Sequence, residues 1–411
     1  MPTISAIQPA TAEFLLSPDG RAAVDALQGA ALGDAHAPAL LADLRRRLTP
    51  AQAGAVLTLA RLRQRAAAKF PAAHQLFFTA EALEQATAWP VACQHAAWID
   101  RHAPPGPVLD LGCGIGGDLL ALAQRRPVIA YEIDPVRACF AQANAAALGL
   151  ADRVEVRQQD WVAALQANAL PSAAAAFADP ARRVEERRIF RLDQMQPPLE
   201  PLLALQQRIP LLGVKVMPSV ADADLPPACG VEFISHAHVC KEAVLWFGPA
   251  RWHPKWATVF VGATVVPLAG DTIAPPLGTL APGNVLYEPD PALIRADCLA
   301  TLAERYDAHL FDAQIAYLVG PVWKPDGLAQ AFAIDEVHPF SLKVLNQRLQ
   351  ALHIGRVELK KRGFPVEPEE LRPRLKLVQS GRDGVVLFTR RGDERLMIIG
   401  RRLAPTVLER V

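Results

Sequence analysis

The stretch VLDLGCGIGGD, residues 108–118, decides the fold. A short apolar run leads into Gly112, Gly114 and Gly117, which have the spacing G-x-G-x-x-G. Glycine lets the main chain turn tightly and lets a ligand approach it, and the helix that follows adds the partial positive charge of its N-terminus. The stretch therefore predicts a strand, a turn and a helix that together hold a small ligand.

The surrounding sequence extends this unit into a sheet. From about residue 105 to 265, short β-rich runs such as PVIAYEID and IPLLGVKVMP alternate with helical ones such as PVRACFAQANAAALGL. This alternation predicts a parallel sheet with helices on both faces. The segments GVEFISHAH and CKEAVLWFG, within 230–248, lie too close together for a crossover helix and predict an antiparallel hairpin.

Asp110 distinguishes between possible ligands. It lies two residues before Gly112, where its negative charge would repel the pyrophosphate of a dinucleotide such as NAD. A carboxylate suits a cationic ligand, for example one that carries an ammonium group. We therefore expect Asp110, Gly112 and Gly114 to hold a positively charged group.

Acidic residues also end the next two predicted strands. Glu132 follows Gly112 by 20 residues, a spacing at which a carboxylate can accept both hydroxyls of a ribose. Asp160 can accept from an adenine amine, and Ile133 or Trp161 can cover the ring. An adenosine that bears an amine and no phosphate describes S-adenosylmethionine.

These motifs resemble those of the class I S-adenosylmethionine-dependent methyltransferases, in which VLDLGCGIGG, YEID and QQDW correspond to motifs I, II and III. The resemblance covers about residues 105–250 and implies a Rossmann-like α/β sheet with S-adenosyl-L-methionine as cofactor. A Rossmann-like fold with another nucleotide, or with none, is the alternative. An NAD-dependent dehydrogenase is a more distant one.

A methyl acceptor should lie at the carboxyl end of the following strand, in AAAAFADPARR. Asp179 and Pro180 occupy that position. The family's N-methylating members have an acid or amide, two prolines and an aromatic residue there. This chain has Ala181 for the second proline and Arg182 for the aromatic residue, so the acceptor atom stays open. We expect Asp179, Pro180 and Arg182 to present the acceptor, Arg182 by stacking on a base or pairing with phosphate.

Residues 1–100 form a predicted N-terminal helical region, since Thr49-Pro50 opens a long stretch with helical apolar spacing. The segment KFPAAHQLFFTAEALEQAT resembles one in trimethylguanosine-synthase-like methyltransferases that covers the cofactor. That resemblance implies a cofactor contact by Phe78 or Thr79, and ordinary core packing is the alternative.

Residues 101–268 are the predicted methyltransferase domain, and the Pro- and Gly-rich segment 265–284 is the predicted connector. Residues 284–411 resemble the α+β THUMP-like domain of bacterial RNA methyltransferases, which implies an RNA substrate. The basic run Lys360, Lys361 and Arg362 can contact phosphates or be an ordinary solvated surface. The tryptophans of WHPKW, 252–256, can stack on bases or be buried anchors.

Composition narrows the class of protein. The chain has 411 residues with a formal net charge of +1, so it is not a general polycation. Its six cysteines are scattered, without a CxxC pair, and we expect neither disulfides nor a metal site. No apolar run approaches the roughly 18 residues of a membrane span, and no secretory leader is recognised. We therefore expect a cytoplasmic protein.

The sequence thus predicts an enzyme that transfers a methyl group from S-adenosylmethionine, and a base in RNA is the expected acceptor. Two alternatives remain. One is a methyltransferase that acts on a small molecule or a protein. The other is a non-catalytic RNA-binding protein that keeps the fold. The sequence does not determine the RNA, the modified atom or the oligomeric state.

Overall fold

The computed structural model describes residues 7–180, 183–184, 187–188, 192 and 195–404. The chain divides into two compact units. The first comprises Met1–Gly230 and Val244–Trp252, and the second comprises Val231–Ala243 and His253–Val411. The division into three domains that the sequence predicts stays a prediction. Arg182 lies outside the described residues.

Helices dominate the described chain before the first strand, as expected. They are α1 (Pro9–Leu16), α2 (Pro18–Asp25), α3 (Ala37–Leu44), α4 (Pro50–Ala66), α5 (Ala80–Gln85) and α6 (Trp89–His102). The predicted cap of α4 is present. The Thr49 hydroxyl accepts from the Gln52 amide nitrogen, and the Gln52 side chain accepts from the Thr49 amide nitrogen. These two bonds satisfy amide groups that a helix N-terminus otherwise leaves without partners.

The predicted alternation of strands and helices follows. Its strands are β1 (Val108–Leu111), β2 (Val128–Glu132), β3 (Val154–Gln158), β4 (Ala175–Ala178), β5 (Arg183–Val184), β6 (Arg187–Arg188) and β7 (Leu211–Val216). Its helices are α7 (Gly117–Ala123), α8 (Pro135–Ala147), α9 (Trp161–Gln166) and α10 (Leu199–Gln206). β5 and β6 form a separate antiparallel pair.

The other five strands are parallel, in the order β7-β4-β1-β2-β3. Leu111, the last residue of β1, lies opposite Tyr131 of β2 and Ala178 of β4. The carboxyl ends of the strands therefore share one edge of the sheet. The order reverses direction at β1, and ligands of open α/β sheets bind at such a point. The Rossmann-like fold that the sequence predicts is confirmed.

The second unit begins with most of the predicted hairpin. The strands of this region are β8 (Gly230–His236), β9 (Val239–Phe247), β10 (Lys255–Val261) and β11 (Thr264–Ala269). Gly230 of β8 and residues 244–247 of β9 belong to the first unit. Ala237 and His238 both have positive φ, which fits the tight turn of an antiparallel hairpin. The connector prediction was wrong for its first residues, because VVPLA pairs with β10 as part of β11. β11 lies at a sheet edge, where Pro267 is tolerated.

The rest of the second unit is a mixed α/β structure. Its strands are β12 (Val285–Pro289), β13 (His309–Leu310), β14 (Leu318–Gly320), β15 (Ala329–Pro339), β16 (Ile354–Lys361), β17 (Arg382–Arg391) and β18 (Glu394–Leu403). Its helices are α11 (Pro291–Arg295), α12 (Leu299–Tyr306), α13 (Leu342–Ala351) and α14 (Pro368–Leu371). The sheet order is β13-β14-β12-β15-β18-β17-β16.

Both faces of this sheet are buried. Val385 and Leu387 of β17 belong to one apolar cluster, and Val386 and Phe388 belong to another. The alternation along β17 matches the two-residue period of a strand. The second cluster includes Leu345 and Leu349 of α13, so this helix covers one face. The described helices include none that is long and apolar enough to cross a membrane.

Candidate functional site

The glycine-rich turn lies directly against the end of β4. Gly112 has φ 85°, a left-handed conformation that favours glycine. A Cβ atom at Gly112 would lie 3.1 Å from the main-chain oxygen of Asp179. Gly117 opens α7, and a Cβ there would lie 3.1 Å from the amide nitrogen of Thr87. The turn therefore needs glycine both for its conformation and for its close neighbours.

Asp110 is a buried carboxylate with an open oxygen. Its residue is 1% exposed, and Oδ2 has no hydrogen-bond partner within the part of the chain that the structure describes. Burial raises the pKa of Asp110 well above its usual range, and the nearby carboxylates of Asp118 and Asp179 raise it further. A buried polar atom without a partner costs free energy. A bound ammonium group would remove that cost, so the residues present fit an amine-bearing ligand.

Glu132 joins the glycine-rich turn to the end of β2. Its side chain is buried, Oε2 accepts from the Gly114 amide nitrogen at 2.9 Å, and Oε1 accepts from the Asp134 amide nitrogen at 2.9 Å. Each carboxylate oxygen keeps a second lone pair. Glu132 can therefore fix the turn and still accept ribose hydroxyls.

The residues expected around an adenine differ in exposure. Asp160 is exposed and caps α9, because its Oδ1 accepts from the Val162 amide nitrogen at 2.8 Å. Ile133 is 69% exposed, whereas Trp161 is 6% exposed. An exposed isoleucine beside a polar strand end offers an apolar face that a ring could cover. Of the two residues expected to cover the base, Ile133 has the more accessible side chain.

Phe78 and Thr79 already have partners within the protein. Phe78 is fully buried, and its ring centroid lies 5.7 Å from that of Phe70. The Thr79 hydroxyl accepts from the Ala82 amide nitrogen and caps α5. These contacts favour core packing and capping for the two side chains, and their contact with a cofactor stays a prediction.

Asp179 lies at the carboxyl edge where an acceptor is expected. Its main-chain nitrogen donates to the Leu111 oxygen, and its side chain is 28% exposed. Lys215 Nζ donates to Asp179 Oδ2 at 2.7 Å. The following Pro180 is buried. Asp179 is therefore both accessible from outside and anchored from inside.

A buried polar network continues from Lys215 and was not predicted. Lys215 Nζ also donates to the Thr87 hydroxyl at 2.7 Å, and that hydroxyl donates to Asp118 Oδ2 at 2.6 Å. The other Asp118 oxygen lies 2.8 Å from His95 Nδ1. Burial raises the pKa of Asp118, but His95, Lys215 and Thr87 together outweigh that effect and lower it. One sequence signal was present, namely a lysine within the apolar run LLGVKVMP.

The basic run of the second unit is largely neutralised. Lys360 and Arg362 both form ion pairs with Glu288, and Lys361 forms one with Glu367. Since each cation already has a carboxylate partner, the run has less charge available for phosphates than the sequence alone indicates. Of the WHPKW tryptophans, Trp252 is 47% exposed and Trp256 is fully buried, so only Trp252 has an accessible indole.

Three family descriptions match segments of the chain. The family described as RNA cap guanine-N2 methyltransferase matches residues 106–180. The family described as THUMP domain-like matches residues 329–402. A domain of unknown function matches residues 8–66.

Relatives extend the match to most of the chain. An uncharacterised S-adenosylmethionine-dependent methyltransferase of Mycobacterium tuberculosis is 33% identical over 344 residues, which cover 80% of this chain and 91% of the relative. The chain belongs to the S-adenosylmethionine-dependent methyltransferases. This methyltransferase therefore uses S-adenosylmethionine, as Asp110, Glu132 and the glycine-rich turn predict. The predicted C-terminal THUMP-like domain is also confirmed over residues 329–402, and its wider bounds of 284–411 stay a prediction.

Two further comparisons concern the fold and part of the chain. A crystal structure of a Porphyromonas gingivalis W83 protein assigned as a methyltransferase has a TM-score of 0.71 at 20% identity, and the match covers 90% of this chain and 99% of that one. An uncharacterised RNA methyltransferase of Parasynechococcus marenigrum is 37% identical over 109 residues, 26% of this chain and 23% of the relative.

Proposed function

We propose that this methyltransferase transfers the methyl group of S-adenosylmethionine to a base in RNA. The single observation that carries the proposal is the position of Asp179. Its partly exposed carboxylate stands at the carboxyl edge of the parallel sheet, beside the glycine-rich turn and anchored by Lys215. A base that enters at this edge would meet the cofactor turn and the Asp179 side chain together.

The cofactor would be held by residues on three strand ends. Asp110, Gly112 and Gly114 would hold the methionine part, because the open Asp110 oxygen suits its ammonium group. Glu132 would accept the ribose hydroxyls. Around the base, Asp160 would accept from the adenine amine, with Ile133 and Trp161 at the ring, and Phe78 and Thr79 would contribute from the N-terminal region.

The chemistry needs positioning more than acid–base groups. When bound, S-adenosylmethionine supplies a methyl group on a positively charged sulfur. The methyl–sulfur bond breaks as the bond to the acceptor forms, and an acceptor nitrogen then loses one proton to solvent. Asp179 would orient the acceptor by accepting a hydrogen bond, and the buried Pro180 would fix the main chain beside it. Alignment of this kind supplies much of the rate of a displacement.

Three observations support RNA as the acceptor. The family matched by residues 106–180 is described as an RNA cap methyltransferase, and the family matched by residues 329–402 is described as THUMP domain-like. The Parasynechococcus marenigrum relative is named as an RNA methyltransferase. A cytoplasmic location is part of the proposal and agrees with six cysteines that are all unpaired.

A radiolabel experiment tests the acceptor. The purified enzyme and S-adenosylmethionine labelled on the methyl group are incubated with RNA from cells that lack the gene and with RNA from wild-type cells. Label should enter the first RNA and not the second, since the second is already modified. Asp179→Ala should lower incorporation at least tenfold. Label in small metabolites or protein, with none in either RNA, would replace RNA by those acceptors.

A further inference from the structure

Lys215 is a cation in the interior of the sheet. It lies in β7, where every residue from Leu211 to Val216 is buried, and its side chain is 2% exposed. Burying an ammonium group costs several kcal/mol unless it is paired with charged or polar partners. An apolar residue of similar length would fill this strand position without that cost. The lysine therefore requires an explanation beyond packing.

Its partners connect the acceptor edge to the interior. Lys215 Nζ lies 2.7 Å from Asp179 Oδ2, 2.7 Å from Thr87 Oγ1 and 4.0 Å from Asp118 Oδ2. Thr87 in turn bonds to Asp118, which His95 holds from its other side. The ammonium group is thus fixed between the partly exposed carboxylate of Asp179 and the buried carboxylate of Asp118.

We propose that Lys215 is a positioning residue for methyl transfer, which pairs with Asp179 and orients its carboxylate with Oδ2 engaged and Oδ1 left for the acceptor. The inference rests on the proposed role of Asp179 in presenting the acceptor. Lys215 acts through Asp179 and does not itself touch the reacting atoms.

The electrostatic surroundings explain why a cation is needed here. The carboxylates of Asp118 and Asp179 lie close enough to Asp110 to raise its pKa. Lys215 opposes this effect, and it lowers the pKa of Asp110 against the larger influence of burial. The ammonium group thus offsets negative charge that the three carboxylates bring together.

The pairing also restricts the acceptor. An ionised carboxylate only accepts hydrogen bonds. Asp179 can therefore orient an acceptor that carries an N–H group, such as an exocyclic amine of a base. It would repel the lone pair of a ring nitrogen that carries no hydrogen. Lys215 and Asp179 together therefore favour an acceptor nitrogen that carries an N–H group.

Steady-state kinetics on full-length enzyme test the inference with the variants Lys215→Met, Asp179→Asn and the double variant. We expect each single variant to lower kcat about 100-fold, the size of effect that loss of one fixed orienting or polar group produces. The double variant should be no slower than Asp179→Asn, because Lys215 acts through Asp179.

Matched controls separate positioning from folding. Lys255→Met removes another lysine–aspartate pair, which belongs to the second unit and whose atoms lie 2.7 Å apart, and it should leave kcat unchanged. Cofactor affinity of Lys215→Met should stay within about threefold of wild type. If Lys215→Met does not fold, the double variant, which lacks both charges, is compared with Asp179→Asn alone. A further loss of tenfold or more in that comparison overturns the inference.

A Lys215→Met enzyme with wild-type kcat also overturns it. This test of Lys215 is independent of the proposal that RNA is the substrate. If the enzyme methylates another acceptor, the same variants are measured on that acceptor. The rates then decide the role of Lys215 while the RNA proposal falls.

Discussion

Asp110 and Glu132 lie near the carboxyl ends of neighbouring parallel strands, and their carboxylates have different surroundings. Both oxygens of Glu132 accept a main-chain N–H, whereas Asp110 Oδ2 has no partner in the described residues. Glu132 is therefore largely satisfied before a ligand arrives, and Asp110 is not. From this difference we expect Asp110 to recognise the charge of the ligand and Glu132 to fix the shape of the glycine-rich turn.

Cofactor affinity should depend on pH through Asp110. Burial raises the pKa of Asp110, so its carboxylate gains a proton at a higher pH than an exposed aspartate does, and a protonated Asp110 no longer attracts an ammonium group. Binding of S-adenosylhomocysteine, measured by calorimetry between pH 5 and 7.5, should therefore strengthen as the pH rises. Asp110→Asn should bind about tenfold or more weakly at pH 7.5, since a hydrogen bond to a charged group contributes about 1.5–3 kcal/mol.

The same Asp110→Asn variant should also lose most of the pH dependence. Asp383→Asn, which changes an exposed carboxylate of the second unit, is the control and should behave as the wild type. Equal pH dependence in Asp110→Asn and wild type would contradict the assignment of Asp110 to the ammonium group.

Gly112→Ala should lower stability and cofactor affinity by more than the cost of a left-handed backbone alone. A left-handed alanine costs about 1–2 kcal/mol, and at Gly112 the new Cβ would also meet the Asp179 oxygen at 3.1 Å. Gly149→Ala is the matched control, because Gly149 has φ 70° and a Cβ added there would meet no atom within 4 Å. Urea unfolding and cofactor titration should show the larger loss for Gly112→Ala. Equal losses in the two variants would mean that the glycine-rich turn accommodates the added Cβ and would contradict the prediction.

Removing the basic run Lys360, Lys361 and Arg362 should affect RNA binding little. If Lys360, Lys361 and Arg362 each met a phosphate, their replacement by Ala would change the slope of log affinity against log salt by about 2–3. Because these residues form ion pairs with Glu288 and Glu367, we expect the slope to change by less than about one, instead of by the about 2–3 of full phosphate contact. Filter binding across salt concentrations measures the slope.

A second triple variant controls for the loss of charge. Lys343, Arg374 and Lys376 form no ion pair within the residues that the structure describes. Replacing these three by Ala removes the same charge from the second unit. The two slopes together separate phosphate contact from a general loss of positive charge. A slope change of about 2–3 for the first variant alone would contradict the prediction.

The second unit should lose stability in acid through Glu336. Hydrogen bonds from Arg348 lower the pKa of Glu336. Burial opposes this effect but is smaller, and His338 lowers the pKa further. The folded state therefore favours the ionised form. This contribution is complete above the unfolded pKa of about 4.3, and it is lost as the pH falls through the lowered folded value. Wild type and Glu336→Gln should differ in urea midpoint at pH 7 and converge towards pH 3.

Glu394→Gln serves as the control for this measurement. Its ion pair with Arg391 is exposed, and pairs of that kind contribute about 0–1 kcal/mol. The midpoint of Glu394→Gln should therefore stay near that of the wild type across the same range. A Glu336→Gln midpoint that parallels the wild type at every pH would contradict the assignment.

The sequence predicts the positions of strand ends better than the partners of buried charges. The glycine spacing and the acids at 110, 132 and 160 are local signals, so motif, cofactor and sheet follow from them. Lys215 and Thr87 are 128 residues apart, and no local pattern links them. The neutralised run at 360–362 likewise depends on Glu288, which only the fold brings near.

The hydroxyl of Thr87 has a consequence for the smallest active fragment. Thr87 precedes the parallel sheet in the chain, yet it lies between Lys215 and Asp118. A truncation that begins at the first strand would keep every motif of the family and still leave that lysine and that aspartate without their shared neighbour. Gene fusions or minimal versions of this enzyme should therefore start upstream of residue 87.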